Sequence, residues 1–265
     1  MNMFLHELKA YRKTLIIWIV SIVGLILMYI SFFPVFTQNI DVAKTLIVNI
    51  PDVAKIMLGI QLEVFKNINF FYSFVFSIVL IFAGIQALNL GLSIVSKEFR
   101  WKTVDFLFSR PVSRVQILNA KILSAFISIL ITNFFSVGVS ILTTILIVRT
   151  DYNLSVILLI SFSMFFIQLV FLSIGIMISV FFTRIKMVVL LSVGIVMGMF
   201  ALNMLDKISG DASIWFLVPF RYFDLTKIAQ TGIYEPISVI WSLLIITILI
   251  SLSYFFYRKK DIHAV

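Results

Sequence analysis

Six stretches free of Asp, Glu, Lys, Arg and His run through this 265-residue chain, at 14–36, 67–96, 122–148, 152–183, 187–205 and 236–257. Each exceeds the roughly 18 apolar residues at which a segment reads as a membrane span. At 1.5 Å per residue, each reaches across about 30 Å of hydrocarbon. No backbone conformation but a helix or a closed barrel satisfies its own hydrogen bonds in that medium, and runs this long are helical. The predicted spans lie at about 14–36, 69–95, 120–148, 154–182, 187–205 and 236–257, within a single domain covering 1–265.

Composition agrees: 62% of residues are hydrophobic and only 12% charged, about half the charge of an average soluble domain. The charges are distributed unevenly. If both termini lie on one side of the membrane with the segments around 97–121 and 184–186, that side holds fourteen of the 21 basic residues and four of the 12 acidic ones. The positive-inside rule assigns that side, and both termini, to the cytoplasm of a cell-membrane protein. An even number of spans is required for this, and six satisfies it. The net charge of +9 is therefore read as membrane topology, and nucleic acid is not an expected partner. The first span exceeds the 7–15 residues of a signal-peptide core and has no small-residue cleavage site after it, so it is expected to be retained.

The fold class expected is all-α integral membrane: six transmembrane helices and, over 1–13, a short N-terminal amphipathic helix. Phe4, Leu8, Tyr11 and Leu15 form one apolar stripe there, beside Lys9, Arg12 and Lys13, which predicts a helix lying in the bilayer interface. The outer segment 37–67 carries Val53, Ile56, Met57, Ile60 and Val64 at helical spacing after Pro51 and Asp52, and predicts an amphipathic outer helix. The second outer segment, 206–235, gathers Trp215, Phe216, Pro219, Phe220, Arg221, Tyr222 and Phe223. Aromatics of this density belong at the water interface, as an outer gate or interface. Within the spans, the polar residues that stand out are Gln86, Asn89, Asn133 and Gln168. Small residues at Ser73, Ser77, Gly84 and Gly91, and Gly194 and Gly198 in GxxxG spacing, suggest close helix packing.

Chemistry is excluded more readily than assigned. The two histidines, His6 and His263, lie near the ends of the chain, cysteine is absent, and no Gly-x-x-x-x-Gly-Lys-Ser/Thr phosphate loop occurs. No catalytic constellation, metal site or bound cofactor is therefore expected. Proton- or ion-coupled transporters place ionisable groups near the midplane, and the six uncharged runs offer none. Sodium held by carbonyls and hydroxyls alone keeps an ion-gradient-driven secondary transporter as the alternative reading.

The most charged stretch, 96–121, holds six basic residues interleaved with Trp101, Phe106, Leu107 and Phe108. That is more apolar surface than a topological anchor needs, and suits docking to a soluble protein. Its sequence runs Lys97-Glu98-Phe99-Arg100-Trp101-Lys102-Thr103, then Phe106-Leu107-Phe108-Ser109-Arg110-Pro111-Val112-Ser113-Arg114, then Ile117-Leu118-Asn119-Ala120-Lys121. It resembles the loop after the second span of ABC-2 type transporter permeases, and Pro219-Phe220-x-Tyr222-Phe223 is similar to the cluster before their last span. The resemblance implies a membrane subunit that pairs with a second permease subunit, the same or paralogous. Two separate ATP-binding subunits would bind the ATP and Mg and drive export. By the same resemblance the loop, 96–119, would dock into the ATPase as a coupling helix. Lys97, Glu98, Arg100 and Lys102 would set register by charge, Trp101, Phe106 and Leu107 would pack, and Thr103 would belong to the same coupling segment. Pro111, Ser113 and Arg114 would turn the chain into the third span, with Ser113 as its N-cap.

Overall fold

A computed structural model describes residues 3–38, 45, 47–51, 55, 62–100, 113–148, 151–182, 185–209 and 212–259. Among these the regular structure is helical: α1 (Met3–Gln38), α2 (Leu62–Lys66), α3 (Ile68–Arg100), α4 (Arg114–Ile147), α5 (Leu154–Phe181), α6 (Val188–Ser209), α7 (Pro219–Tyr222), α8 (Leu225–Thr231) and α9 (Pro236–Lys259). A 3₁₀ turn, Ala212–Leu217, precedes α7. Six helices, α1, α3, α4, α5, α6 and α9, are long and apolar enough to cross a bilayer.

The helices outrun the uncharged stretches that predicted them. α1 is one uninterrupted helix of 36 residues, about 54 Å at 1.5 Å per residue, so the expected lead-in helix over 1–13 does not form as a separate element. Nothing between Lys13 and Trp18 breaks a helix, and the first Pro is Pro34. Of the amphipathic stripe, Leu15 is buried and Phe4, Leu8 and Tyr11 are half-buried, whereas Lys9, Arg12 and Lys13 are exposed. Of the expected outer helix over 51–64, Val53, Ile56, Met57 and Ile60 lie outside the described residues; Val64 is buried on α2.

α3 and α5 form the centre of the bundle, the pair most extensively packed. They can approach closely because Gly91 meets Gly175. A Cβ added at Gly91 would lie 2.5 Å from the Leu172 carbonyl oxygen, and one at Gly175 would lie 2.7 Å from that of Leu88. Only residues without a Cβ allow backbones this near. α1 packs along α4, α6 against α3, and α9 against α5. α1 buries Ile22, Ile26 and Ile30, and α4 buries Ser124, Ser128, Thr132, Ser136, Ser140 and Thr144. Both sets are four-residue ridges of the kind that interdigitate between helices. The outward faces remain apolar: Ile16, Ile17 and Val20 on α1, Val189, Leu190 and Val193 on α6, Ile237, Ile240 and Leu243 on α9 are exposed. In water such faces would aggregate; in a bilayer they are solvated by acyl chains.

Candidate functional site

Polar groups collect at three levels of this apolar bundle. The first is the end where α3 stops at Arg100 and α4 starts at Arg114. Lys97, Glu98 and Arg100 occupy the last turns of α3, while Trp101, Lys102, Thr103, Phe106, Leu107 and Pro111 lie outside the described residues. α4 begins with a capping box: the Ser113 hydroxyl accepts from Gln116 N at 3.2 Å, and Ser113 N donates to Gln116 Oε1 at 2.9 Å. This satisfies two backbone N–H donors reciprocally at the start of the helix.

Two turns into α4, Lys121 is 1% exposed. Its ammonium donates to the Ile94 carbonyl oxygen of α3 at 2.8 Å and pairs with Glu7 Oε1 of α1 at 3.4 Å. A lysine is almost never fully buried without such partners. At the same level Tyr254 of α9 is hydrogen-bonded to Asn119 of α4. The beginning of α1, the end of α3, the beginning of α4 and the end of α9 thus meet at one end of the bundle, as an even number of crossings demands.

The second level lies midway along α3, α4 and α5. Asn133 Nδ2 donates to Ile129 O at 2.9 Å and to Gln168 Oε1 at 2.6 Å; Gln168 Nε2 donates to Gln86 Oε1 at 3.1 Å; Gln86 Nε2 donates to Thr132 Oγ1 at 2.8 Å; and Thr132 donates to Ser128 O at 3.0 Å. The direction of the chain is fixed, because the carbonyls at its two ends only accept. Three of the four amides picked out from sequence are therefore one network joining three helices. Asn89 is buried on α3 outside it. Several other α4 hydroxyls bond back to their own helix, Ser128 to Ser124 O, Ser136 to Thr132 O and Thr144 to Ser140 O, as Ser and Thr do in apolar helices. Beside this level an open apolar groove of about 680 Å³ is lined by Leu130, Asn133, Phe134, Gly138, Phe162 and Phe165.

The third level is the opposite end, where the 212–235 segment folds back over α3 and α5. Pro219 occupies the first turn of α7, where its missing N–H costs no bond. Phe220 is buried between Phe171 and Phe200, with ring centroids 5.3 and 5.6 Å away. Phe223 stacks on Phe166 at 5.3 Å. The Tyr222 hydroxyl and Trp241 Nε1 both donate to the Phe216 carbonyl, at 2.6 and 3.0 Å, and burial pushes the Tyr222 phenol up to about 12. Tyr234 donates to Leu159 O and is likewise shifted upward by burial.

Arg221 is the electrostatic centre of that segment. Its Nε lies 3.0 Å from Asp206 Oδ2, a carboxylate with a fully buried side chain at the end of α6. Its Nη1 lies 3.8 Å from Asp224 Oδ2. Asp224 Oδ1 caps α8, accepting from Thr226 N and Lys227 N at 3.0 and 3.2 Å. Lys227 bridges to Glu235, whose hydrogen bond raises the lysine pKa. α8 ends at Gly232, whose φ of 67° lies in the left-handed region favoured by glycine. Below Arg221 a cavity of about 40 Å³, lined in part by Ser73, Ser77, Asn203 and Lys207, is of water size.

Sequence reasoning missed Glu7, Lys121, Asp206 and Thr132. The uncharged runs hold no ionisable group, yet Lys121 and Asp206 at their edges are buried. Both sit just outside an uncharged run, at 122 and 205, but inside a helix, because helices continue past the apolar stretch that crosses the hydrocarbon. The signal was present at Lys121, which closes the motif Ile117-Leu118-Asn119-Ala120-Lys121.

Among the described residues no cluster of three or more His, Cys, Asp or Glu could hold a metal. A search of curated proteins gave no match. The family described as ABC-2 family transporter protein matches residues 1–262, essentially the whole chain, from the Glu7 turn through the loop, the amide network and the aromatic segment. The chain belongs to the ABC-2 transporter family.

Proposed function

We propose that this chain is the transmembrane permease subunit of an ATP-binding cassette exporter, working as a pair with a second copy or a paralogue. The family match over 1–262 carries the reading. ATP and Mg are bound by separate subunits on the cytoplasmic face, which dock on the 96–119 segment. Glu98, Lys97, Arg100 and Lys102 set register there, and Trp101, Phe106 and Leu107 pack into the partner. Closure of the ATPase pair moves the two docked segments, and the spans switch between two packings. The Pro219–Phe223 cluster, tied to α6 through Arg221 and Asp206, acts as the outer gate. The substrate is hydrophobic or amphipathic. The groove beside Asn133, of about 680 Å³, falls in the size range of small-molecule sites and offers an almost wholly apolar wall.

The test is a mild-detergent purification of the tagged chain from its native membranes, with and without Glu98→Arg. The reading expects a roughly equimolar ATPase that the substitution removes. A chain that purifies without any ATPase after cross-linking would overturn it.

A further inference from the structure

Lys121 is far more buried than a topological charge has reason to be. Residues facing a water interface keep their charged heads in water and bury only the stem, but here the whole side chain, 1% exposed, is inside the protein. Two of its partners come from two other helices. The Ile94 carbonyl belongs to α3, six residues before that helix reaches Arg100, and the Glu7 carboxylate belongs to the second turn of α1. Lys121 itself is two turns into α4. A single ammonium therefore bridges both legs of the 101–112 segment and ties them to α1.

We propose that Lys121 is a positioning residue: its ammonium, held by the Ile94 carbonyl and the Glu7 carboxylate, locks the two legs of the 101–112 segment and the start of α1 into one rigid body. Displacement of that segment is then carried into the first span, through a helix that runs without a break from Met3 to Gln38. The transmission rests on the reading that an ATP-binding partner moves the segment; the rigid joint rests on the geometry alone.

Burial of charge separates this role from a purely stabilising one. Removing Glu7 alone takes a carboxylate away from a buried ammonium and destabilises the protein, while replacing both members with apolar side chains of similar size restores stability. A pair that only stabilised would leave the Glu7→Leu, Lys121→Met double variant fully functional. A positioning pair leaves it stable but loose.

The chain has no cysteine, so labels are easily placed. Spin labels at Lys13→Cys, exposed on α1, and Leu123→Cys, half-exposed on α4, report the distance across the joint in lipid nanodiscs holding the chain with any co-purified ATPase. The expected result is one narrow distance, unchanged by ATP, Mg and vanadate, in the otherwise unaltered chain. In the double variant the distance broadens, with or without nucleotide, and shifts on nucleotide addition, while thermal stability matches the parent. Glu7→Leu alone lowers stability, and Lys121→Arg keeps the narrow distance. A double variant whose distance stays as narrow as the parent's overturns the proposal, as does a parent distance that itself shifts with nucleotide. If no ATPase accompanies the chain, the exporter reading fails, and the widths measured without nucleotide still decide the joint.

Discussion

Single residues set the tolerances of this bundle, and glycine gives the sharpest contrast. At Gly91 the neighbours of an added Cβ are backbone atoms of Leu172, Gly175 and Ile176 at 2.5–2.9 Å, whereas at Gly194 and Gly198 nothing lies within 4 Å. Gly91→Ala is expected to cost about 1–3 kcal/mol, since backbone cannot move aside as a side-chain tip can. Gly194→Ala and Gly198→Ala should stay within about 0.5 kcal/mol in the isolated subunit. Thermal unfolding in detergent compares the three directly; a stable Gly91→Ala protein would mean that α3 and α5 lie farther apart. The same scale applies to the amide chain. Gln168→Leu removes the donor to Gln86 and the acceptor of Asn133, so a loss of about 1–2 kcal/mol is expected in the same assay. The GxxxG spacing at 194 was the more conspicuous sequence pattern, yet among the described residues nothing lies within 4 Å of a Cβ added at either glycine. Gly91 and Gly175, in contact, are 84 positions apart, and spacing along one helix cannot reveal a crossing.

At the scale of elements, the sequence was informative where one helix suffices to explain a pattern. The apolar runs predicted the six long helices, Ser113 caps α4 as the resemblance implied, and the aromatic cluster at 215–223 packs at the end of the bundle. Pairing between elements was not legible. Arg221 and Asp206 were counted as outer charges, and nothing in their fifteen-residue separation announces that one neutralises the other's buried carboxylate. The pair joins α6 to the 212–235 segment, so Arg221→Ala should free that segment. Breaking a buried pair costs about 3–5 kcal/mol; with the Arg221 side chain 30% exposed, screening reduces the expected loss to about 1–3 kcal/mol. Asp206→Asn in the same chain should recover much of it by removing the charge that Arg221 faces. Limited proteolysis at Thr231–Ile233, both exposed, reads the change: accelerated cutting in Arg221→Ala and near-parent cutting in the double variant. Equal cutting in all three would show that the aromatic contacts of Phe220 and Phe223 hold the segment without the ion pair.

For the whole molecule, the distribution of charge and the arrangement of helices make one joint prediction. Tyr254 with Asn119, and Lys121 with Glu7 and Ile94, bring the start of α1 and the end of α9 to the end of the bundle where the 101–112 segment begins. The 219–235 segment closes the other end. Fourteen of the 21 basic residues sit on the first side under the six-span arrangement, which the positive-inside rule turns toward the cytoplasm. Single cysteines introduced into the cysteine-free chain at Lys13 and at Thr231, both exposed, convert this into a measurement on intact cells. A membrane-impermeant thiol reagent should label Thr231→Cys at once and Lys13→Cys only after permeabilisation. The reverse pattern would invert the molecule and set the 96–119 segment outside, where no ATP-binding subunit could reach it, so the labelling also tests the exporter reading independently of any co-purified partner. The same two positions test the span count, because an odd number of crossings between residues 13 and 231 is required for them to differ, and five, through α1, α3, α4, α5 and α6, is the number the helices supply.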